Sequence, residues 1–339
     1  MPLEIATLGY VGFDNLGDEA ILAGIAGALR SREIFGNASI TALTASPERT
    51  RILHPGLAPR PRGSLRSLAS RLKGTDLFIL GGGSLFQDAT SIRSVAWYAL
   101  AARIARTRAR RVLWWGHGIG PLRSRWSRRM VATVARNADA ITVRDPASAE
   151  LLKVCGHQGS IEVVPDPAYL LDPPTPAALR EGTVVAWRAW GDRTGPPAGA
   201  GFVGPVRGIA MHPGDESSLP AGDRLDWMAW NDPLTKVVSS LAGARMVVAV
   251  RLHALVFSVV ARTPFVAVSY DPKVTALAKA TGQGDVCVPI EDCDADALRR
   301  AIENVEATWD ARHAHLDRVA REFREGAARP ARIAEEWFA

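Results

Sequence analysis

The run GYVGFDNLGDE at residues 9–19 ends one apolar stretch and opens an amphipathic one, with Tyr10, Asp14, Asn15, Asp18 and Glu19 set among glycines. Glycines there allow tight turns and close approach of a ligand to the backbone, and an early carboxylate complements the positive end of a helix. Asp14 falls at a strand's C-terminal edge, where a carboxylate can take a proton from a bound hydroxyl. A turn-forming Asp14 and a helix-capping Asp18 are the structural alternatives. The spacing fits neither G-x-G-x-x-G nor a Walker A loop, so it does not read as a dinucleotide or nucleoside triphosphate site.

Two further glycine segments follow apolar runs. GGGSLFQD at 81–88 brings Gly82, Gly83, Gln87 and Asp88, with Thr90, Ser91 and Arg93 just beyond, and GHGIGP occupies 116–121. Consecutive glycines can turn their amides towards one anion or sugar, although glycines after a strand often serve only helix packing. Three such loops at the ends of strands in one sheet would pave one wall of a cleft. Cations recur at comparable places: Arg144, Arg188, Arg251 and Lys273 each follow an apolar run. Arginine forks suit carboxylate and phosphate oxygens and lysine supplies a point charge, while a structural salt bridge is the alternative for each arginine. His253, between Arg251 and an apolar helix, is the candidate for moving protons near neutral pH. Among the tryptophans, Trp114, Trp115, Trp187, Trp190, Trp227 and Trp230 could stack on sugar rings, with core packing the commoner use. There is no H-x-x-x-H pair and no G-x-S-x-G elbow, and His212, with Asp215 and Glu216 nearby, makes no metal spacing. Neither a metal nor a cofactor is expected.

These residues need strands to carry them to a common edge. Apolar runs at 3–8, 39–43, 76–80, 111–115, 140–143 and 161–164 alternate with helical patterns at 18–30, 91–106, 124–138 and 147–155. That order predicts a parallel sheet with helices on both faces, a doubly wound domain over 1–170. Pro165-Asp166-Pro167 and the proline-rich 172–176 read as a linker. Strands at 183–187, 206–211, 245–250, 264–268 and 285–288, with helices at 232–241, 252–261 and 273–281, predict a second α/β domain over 177–310. Residues 311–339 are expected to form a helical tail, and the Gly- and Pro-rich 191–204 a loop. The fold class is therefore α/β, two Rossmann-like doubly wound domains facing a cleft.

Composition narrows the partners. The 339 residues include 41 Lys and Arg against 35 Asp and Glu, and 47% are hydrophobic, which excludes disordered and fibrous classes. The charge is uneven: residues 1–170 carry a net +9 and the remainder −3, and 89–137 holds eleven arginines without one carboxylate. Such a block suggests an anionic partner, and a solvated arginine-rich surface is the alternative. Cys155, Cys287 and Cys293 match neither a zinc nor a C-x-x-C spacing, so a reducing compartment fits best. The N-terminus lacks a basic segment followed by an apolar core, and the apolar stretch 246–270 is broken by Arg251, His253 and Arg262. A cytoplasmic protein with possible peripheral membrane contact is expected.

At these residues the chain resembles the polysaccharide pyruvyl transferase family, particularly its bacterial cell-wall branch. The resemblance lies in GYVGFDNLGDEAIL (9–22), GGGSLFQDATS (81–91) with Arg93 and Ser94, GIGPL (118–122), TVRD (142–145) with Ser148, Asp166-Pro167, RLHAL (251–255) and SYDPKV (269–274). It departs at 191–204, where the family pattern has a longer helical segment before the strand leading to His212. The resemblance implies a glycosyltransferase-B-like fold and transfer of an enolpyruvyl unit from phosphoenolpyruvate to a sugar diol, forming a cyclic ketal and releasing phosphate. The implied acceptor is an N-acetylmannosamine residue of a lipid-linked secondary cell-wall polymer precursor, whose ketal serves as a ligand for surface-layer proteins. Phosphoenolpyruvate carries a carboxylate and a phosphate on three carbons, so its site needs several cations close together, and Arg144, Arg188, Arg251 and Lys273 are the candidates. Asp14 is the expected base and His253 the expected acid or phosphate partner, with Tyr10, Asn15, Gly82, Gly83, Gln87, Asp88 and Arg93 lining the acceptor side. A nucleotide-sugar-dependent glycosyltransferase of the same fold and a non-catalytic anion-binding module are the competing readings. Nucleic acid is not an expected partner, because the arginines are interspersed with apolar helix positions and no RNA- or DNA-binding motif is present.

Overall fold

Short runs of Val, Ile, Leu and Ala, too apolar for any strand with a wet face, pair into two all-parallel sheets. The computed structural model describes residues 2–89, 91–175, 179–218 and 227–339. Thr90 and Pro176, singled out from the sequence, lie outside the described residues, as does the start of the expected second domain at 177. The side chain of Trp227 lies outside them too. The chain divides into two units: Met1–Phe13, Asp18–Leu170 and Phe323–Ala339 form the first, and Asp14–Gly17 with Leu171–Glu322 form the second.

In the first unit β1 (Glu4–Leu8) leads to α1 (Leu16–Arg30), β2 (Ser39–Thr44) to α2 (Pro47–Leu53), and β3 (Ala58–Pro61) to α3 (Leu65–Arg71). Then come β4 (Leu77–Phe86), α4 (Ile92–Arg108), β5 (Arg111–Ile119), α5 (Arg125–Ala135), β6 (Ala140–Val143), α6 (Pro146–Val154) and β7 (Glu162–Val163). The strand order is β3-β2-β1-β4-β5-β6-β7, so the winding reverses between β1 and β4. Helices start where the sequence supplies caps: Ser91, Ser124 and Asp145 accept from backbone amides at the starts of α4, α5 and α6. α5 turns Val131, Val134 and Ala135 inward and leaves Arg125, Arg129 and Arg136 exposed.

The second unit runs β8 (Thr183–Ala186), β9 (Val206–Ile209), β10 (Trp227–Met228), α7 (Leu234–Ala242), β11 (Met246–Ala249), α8 (Leu252–Val260), β12 (Phe265–Ser269), α9 (Pro272–Ala280), β13 (Cys287–Pro289) and α10 (Ala295–Ala307). Its sheet order is β10-β9-β8-β11-β12-β13. β11 is wholly buried, as its sequence Met-Val-Val-Ala requires.

Three features differ from the sequence expectation. β3 is an extra edge strand; its Ala-Pro-Arg-Pro sequence hides it, because proline cannot donate to a ladder and survives only at a sheet edge. The segments 81–83 and 116–119 are not loops but the continuations of β4 and β5, paired Gly81 to Trp115 and Gly83 to His117. The expected tail at 311–339 is divided: α11 (Trp309–Ala327) begins in the second unit and ends in the first, and α12 (Arg329–Phe338) belongs to the first. Its attachment there combines hydrogen bonding with ring packing, since Trp115 Nε1 donates to Ala327 O at 3.1 Å and Phe338 meets the buried Phe35 edge-on at 6.2 Å. Residues 191–204 hold no helix or strand, as expected from their glycines.

Candidate active site

In the first unit the turn after β1 is held by a buried carboxylate. Gly12 adopts φ +80°, and its amide donates to Glu19 Oε1 at 2.8 Å, while Glu19 Oε2 pairs with His54 Nε2 at 2.8 Å. Glu19 and His54 are both buried, so the pair fixes the turn and does not face a ligand. His54 lies 35 residues away in sequence, and no local spacing links it to Glu19. Beyond the turn, Tyr10 stacks on Phe13 with centroids 4.1 Å apart. Burial and the nearby Asp18 carboxylate push the Tyr10 hydroxyl up, against an opposing pull from Arg62.

The β4 glycines serve packing. A Cβ on Gly82 would meet Ile21 Cγ2 at 2.5 Å, and one on Gly81 would meet Ile25 Cδ1 at 2.9 Å, so α1 sits directly on the strand. Gly83 has φ +74°, and a Cβ there would lie 2.8 Å from Asp18 Oδ1. Gly9, Tyr10, Asp18, Gly81 and Gly82 line a small recess of about 10 Å³, room for about one water molecule. Asp88 points its carboxylate at the amides of Arg123 and Ser124, both at 2.8 Å. Burial raises its pKa, yet those amides and neighbouring groups hold it below the usual carboxylate range, so Asp88 is committed to anchoring the start of α5. Gln87 is half-buried, and Arg93 is exposed on the first turn of α4.

Arg144 follows β6 with its side chain only 10% exposed, where it pairs with Asp166 at 3.2 Å and donates to Ser84 Oγ at 2.9 Å. It also fills the space beside Gly118, whose Cβ would come within 2.7 Å of its Nε. Beside it in the sheet, His117 is wholly buried, tilted on Phe86 and edge-on to Trp114. Burial pushes its pKa down to about 3, so the ring is neutral at ordinary pH.

In the second unit the segment Asp14–Gly17 meets the start of α8. Asp14 takes a left-handed φ of +61°, uncommon outside glycine, and Asn15 Oδ1 accepts from the Gly17 amide at 3.2 Å. Leu16 donates its amide to Met211 O at 3.0 Å. Gly17 abuts the imidazole of His253 so closely that a Cβ there would lie 2.2 Å from Nδ1. His253 is on the first turn of α8, half-buried, next to the N-cap Arg251. Arg251 grips Asp215 with both fork nitrogens, Nε to Oδ2 at 2.9 Å and Nη2 to Oδ1. Asp215 is buried at 1% exposure, and its partner could not be read from the sequence, where Asp215 stood only as a neighbour of His212.

Lys273 Nζ lies 3.3 Å from Asp271 Oδ2, the residue that caps α9. Arg188, just past β8, differs from the other three cations. Its guanidinium carbon lies 5.3 Å from the Tyr270 centroid and 5.7 Å from that of Trp190, and among the described residues it has no carboxylate partner. Rings orient a guanidinium without cancelling its charge. Among the described residues no group of three His, Cys, Asp or Glu is placed to hold a metal ion.

Two all-parallel α/β units of this kind, with polar and charged residues following the strands, define a doubly wound class of fold. The chain resembles the UDP-GlcNAc 2-epimerase of Neisseria meningitidis bound to UDP-GlcNAc, with a TM-score of 0.62, 9% identity, and coverage of 98% of this chain and 99% of that one. It resembles S. aureus MnaA in a co-structure with UDP at a TM-score of 0.58 and 12% identity, covering 98% and 92%. The epimerase of Methanocaldococcus jannaschii gives 0.55 and 12%, covering 89% and 92%. These likenesses establish a glycosyltransferase-B-like fold. No curated protein matches the chain. The model of the family "Polysaccharide pyruvyl transferase" matches residues 15–272, most of the chain, and the chain belongs to that family.

Proposed function

We propose that this transferase moves the enolpyruvyl unit of phosphoenolpyruvate onto two hydroxyls of one sugar in a cell-wall polysaccharide precursor, an N-acetylmannosamine residue, as a cyclic ketal. A proton adds to the methylene carbon of phosphoenolpyruvate, and a sugar hydroxyl oxygen bonds to the central carbon as its own proton leaves. The bond from that carbon to the phosphate oxygen breaks, phosphate departs, and the second hydroxyl closes the ring with loss of its proton. Of the two hydroxyl protons released, one replaces that given to the methylene carbon and the other leaves with phosphate. Asp14 is the base at the sugar hydroxyls and His253, protonated, the acid or phosphate partner. Arg188, Arg251, Lys273 and Arg144 supply the positive field for the donor, with no metal or cofactor in the scheme. Tyr10, Asn15, Gly82, Gly83, Gln87 and Arg93 line the acceptor side; Asp88 acts there through the α5 start. The acceptor is lipid-linked and the enzyme works at the cytoplasmic face of the membrane.

The observation that supports this reading most is the joining of Asp14–Gly17 to His253 and Arg251 in one structural unit, through a glycine contact that no side chain could replace. The test is incubation with phosphoenolpyruvate and candidate disaccharide lipids, followed by phosphate release and mass detection of the ketal. Asp14→Asn and His253→Ala are each expected to lower kcat by about 100-fold or more. Near-normal turnover in either removes that residue from the mechanism. A thermal shift with UDP-sugars and none with phosphoenolpyruvate would favour a glycosyltransferase instead.

A further inference from the structure

Arg62 follows β3 in the first unit, where its amide donates to Thr44 O at 2.8 Å. Its guanidinium carbon lies 3.9 Å from the ring centroid of Trp97, 5.1 Å from Phe13 and 5.4 Å from Tyr98. One nitrogen, Nη1, donates to the Tyr98 hydroxyl at 3.1 Å. Trp97 meets Tyr98 edge-on at 5.1 Å, and Phe13 is itself stacked by Tyr10, which is 41% exposed. Three rings therefore hold this half-buried cation in place, and a fourth, Tyr10, backs one of them.

None of those rings neutralises it. Among the described residues Arg62 has no carboxylate partner, and the chain from 49 to 75 carries seven Lys and Arg with no Asp or Glu. Arg60 and Arg66, both exposed, flank it in sequence. A guanidinium has five N–H donors and Tyr98 takes one, so a planar, oriented fork retains donors for two oxygens of one group. Arg144 and Arg251, by contrast, spend their forks on Asp166 and Asp215. Arg188 is built as Arg62 is, on rings and without a carboxylate, in the other unit.

We propose that Arg62 on its aromatic shelf is a second anion subsite, which recognises a phosphate or diphosphate group. In the reaction proposed above it takes the diphosphate that tethers the sugar acceptor to its carrier. That acceptor role rests on the transfer reading; the anion subsite does not.

Calorimetric titration of the full chain with inorganic pyrophosphate and, separately, with geranyl diphosphate tests it. Arg62→Met keeps much of the packing volume and is expected to weaken both by about tenfold or more, while leaving phosphoenolpyruvate binding unchanged. Arg62→Lys keeps the charge without the fork and is expected to lose several-fold; it serves as the variant if Arg62→Met does not fold. Tighter binding of geranyl diphosphate than of pyrophosphate in the unaltered protein assigns the subsite to a carrier headgroup, and equal binding assigns it to a free phosphate. Arg188→Met is expected to keep diphosphate binding. The subsite is overturned if folded Arg62 variants bind both probes as the unaltered protein does, if neither probe binds that protein, or if Arg188→Met is the change that abolishes binding. Arg62-dependent diphosphate binding in a protein that forms no ketal would overturn the transfer reading alone.

Discussion

Four cations that look alike in sequence differ by what neutralises them, and the difference predicts separate phenotypes. Arg188→Met removes a charge that rests, among the described residues, on Tyr270 and Trp190 without a carboxylate, so the KM for phosphoenolpyruvate is expected to rise about tenfold or more with little change in Tm. Arg251→Met instead strands the buried Asp215 carboxylate, and a stability loss on the order of 3 kcal/mol is expected from urea unfolding. The opposite pattern in either variant would reverse their roles. His117 makes a pH prediction. Its folded pKa is about 3, against an ordinary value near 6.5, so across that window the unfolded chain binds a proton that the native one refuses. Stability contributed by keeping this ring neutral is therefore present above pH 6.5 and lost as pH falls towards 3, by up to about 1.4 kcal/mol per pH unit. Burial lowers the pKa of His157 as well, which adds in the same direction. Urea midpoints at pH 7 and pH 4.5 should differ less in His117→Phe than in the unaltered protein; an unchanged difference would exclude this ring as the cause.

Among the elements, those with a strong local period were legible from the residues alone. Apolar runs marked β1, β2, β4, β5, β6, β8, β9, β11 and β12, and their alternation with amphipathic segments showed that the sheets are parallel. β3 and β10 escaped because two prolines disguise the one and two residues make up the other. The site was legible in its residue types and less so in their commitments. His253 and the cations follow strands as read, whereas Asp14 lies past the turn after β1, in the segment grouped with the second unit, and the pairings Arg144 with Asp166 and Arg251 with Asp215 are made by tertiary structure across 22 and 36 residues. The glycine segments show the same limit. Three glycines after four apolar residues look like a ligand loop, yet the β ladder continues through them because α1 needs a surface without side chains. Gly82→Ala is accordingly expected to cost about 1–3 kcal/mol through collision with Ile21. Adding Ile21→Ala should recover part of that loss, which a double-mutant cycle would read as favourable coupling. Strict additivity would mean that Gly82 is needed for something other than the seat of α1.

Across the whole molecule, the basic half proves to hold two kinds of arginine. Arg106 and Arg111 both pair with Asp139, and Arg110 pairs with Asp76, so part of the carboxylate-free block is neutralised by residues beyond it. The C-terminal helix also packs on two of these arginines, with Arg110 over Phe338 and Arg111 over Trp337. Arg125 and Arg129 near the start of α5 are exposed and, among the described residues, have no carboxylate partner, while Arg123, also exposed, sits beside the Asp88 carboxylate. Trp126 stands beside them at 71% exposure, 5.9 Å from the Arg129 guanidinium. Among the described residues no helix is long and apolar enough to cross a membrane. Arginines beside an exposed indole suit an anionic bilayer, where each cation contributes about 1 kcal/mol near the surface and the indole prefers the headgroup layer. Sedimentation with vesicles rich in phosphatidylglycerol should therefore fall about tenfold or more in a protein carrying Arg125→Ala and Arg129→Ala. Trp126→Ala should weaken it further, and Arg110→Ala with Arg111→Ala should leave it nearly intact. Equal sedimentation with purely zwitterionic vesicles would return the α5 arginines to the role of a solvated surface, and loss confined to the Arg110 and Arg111 variant would move the contact to the other end of the block.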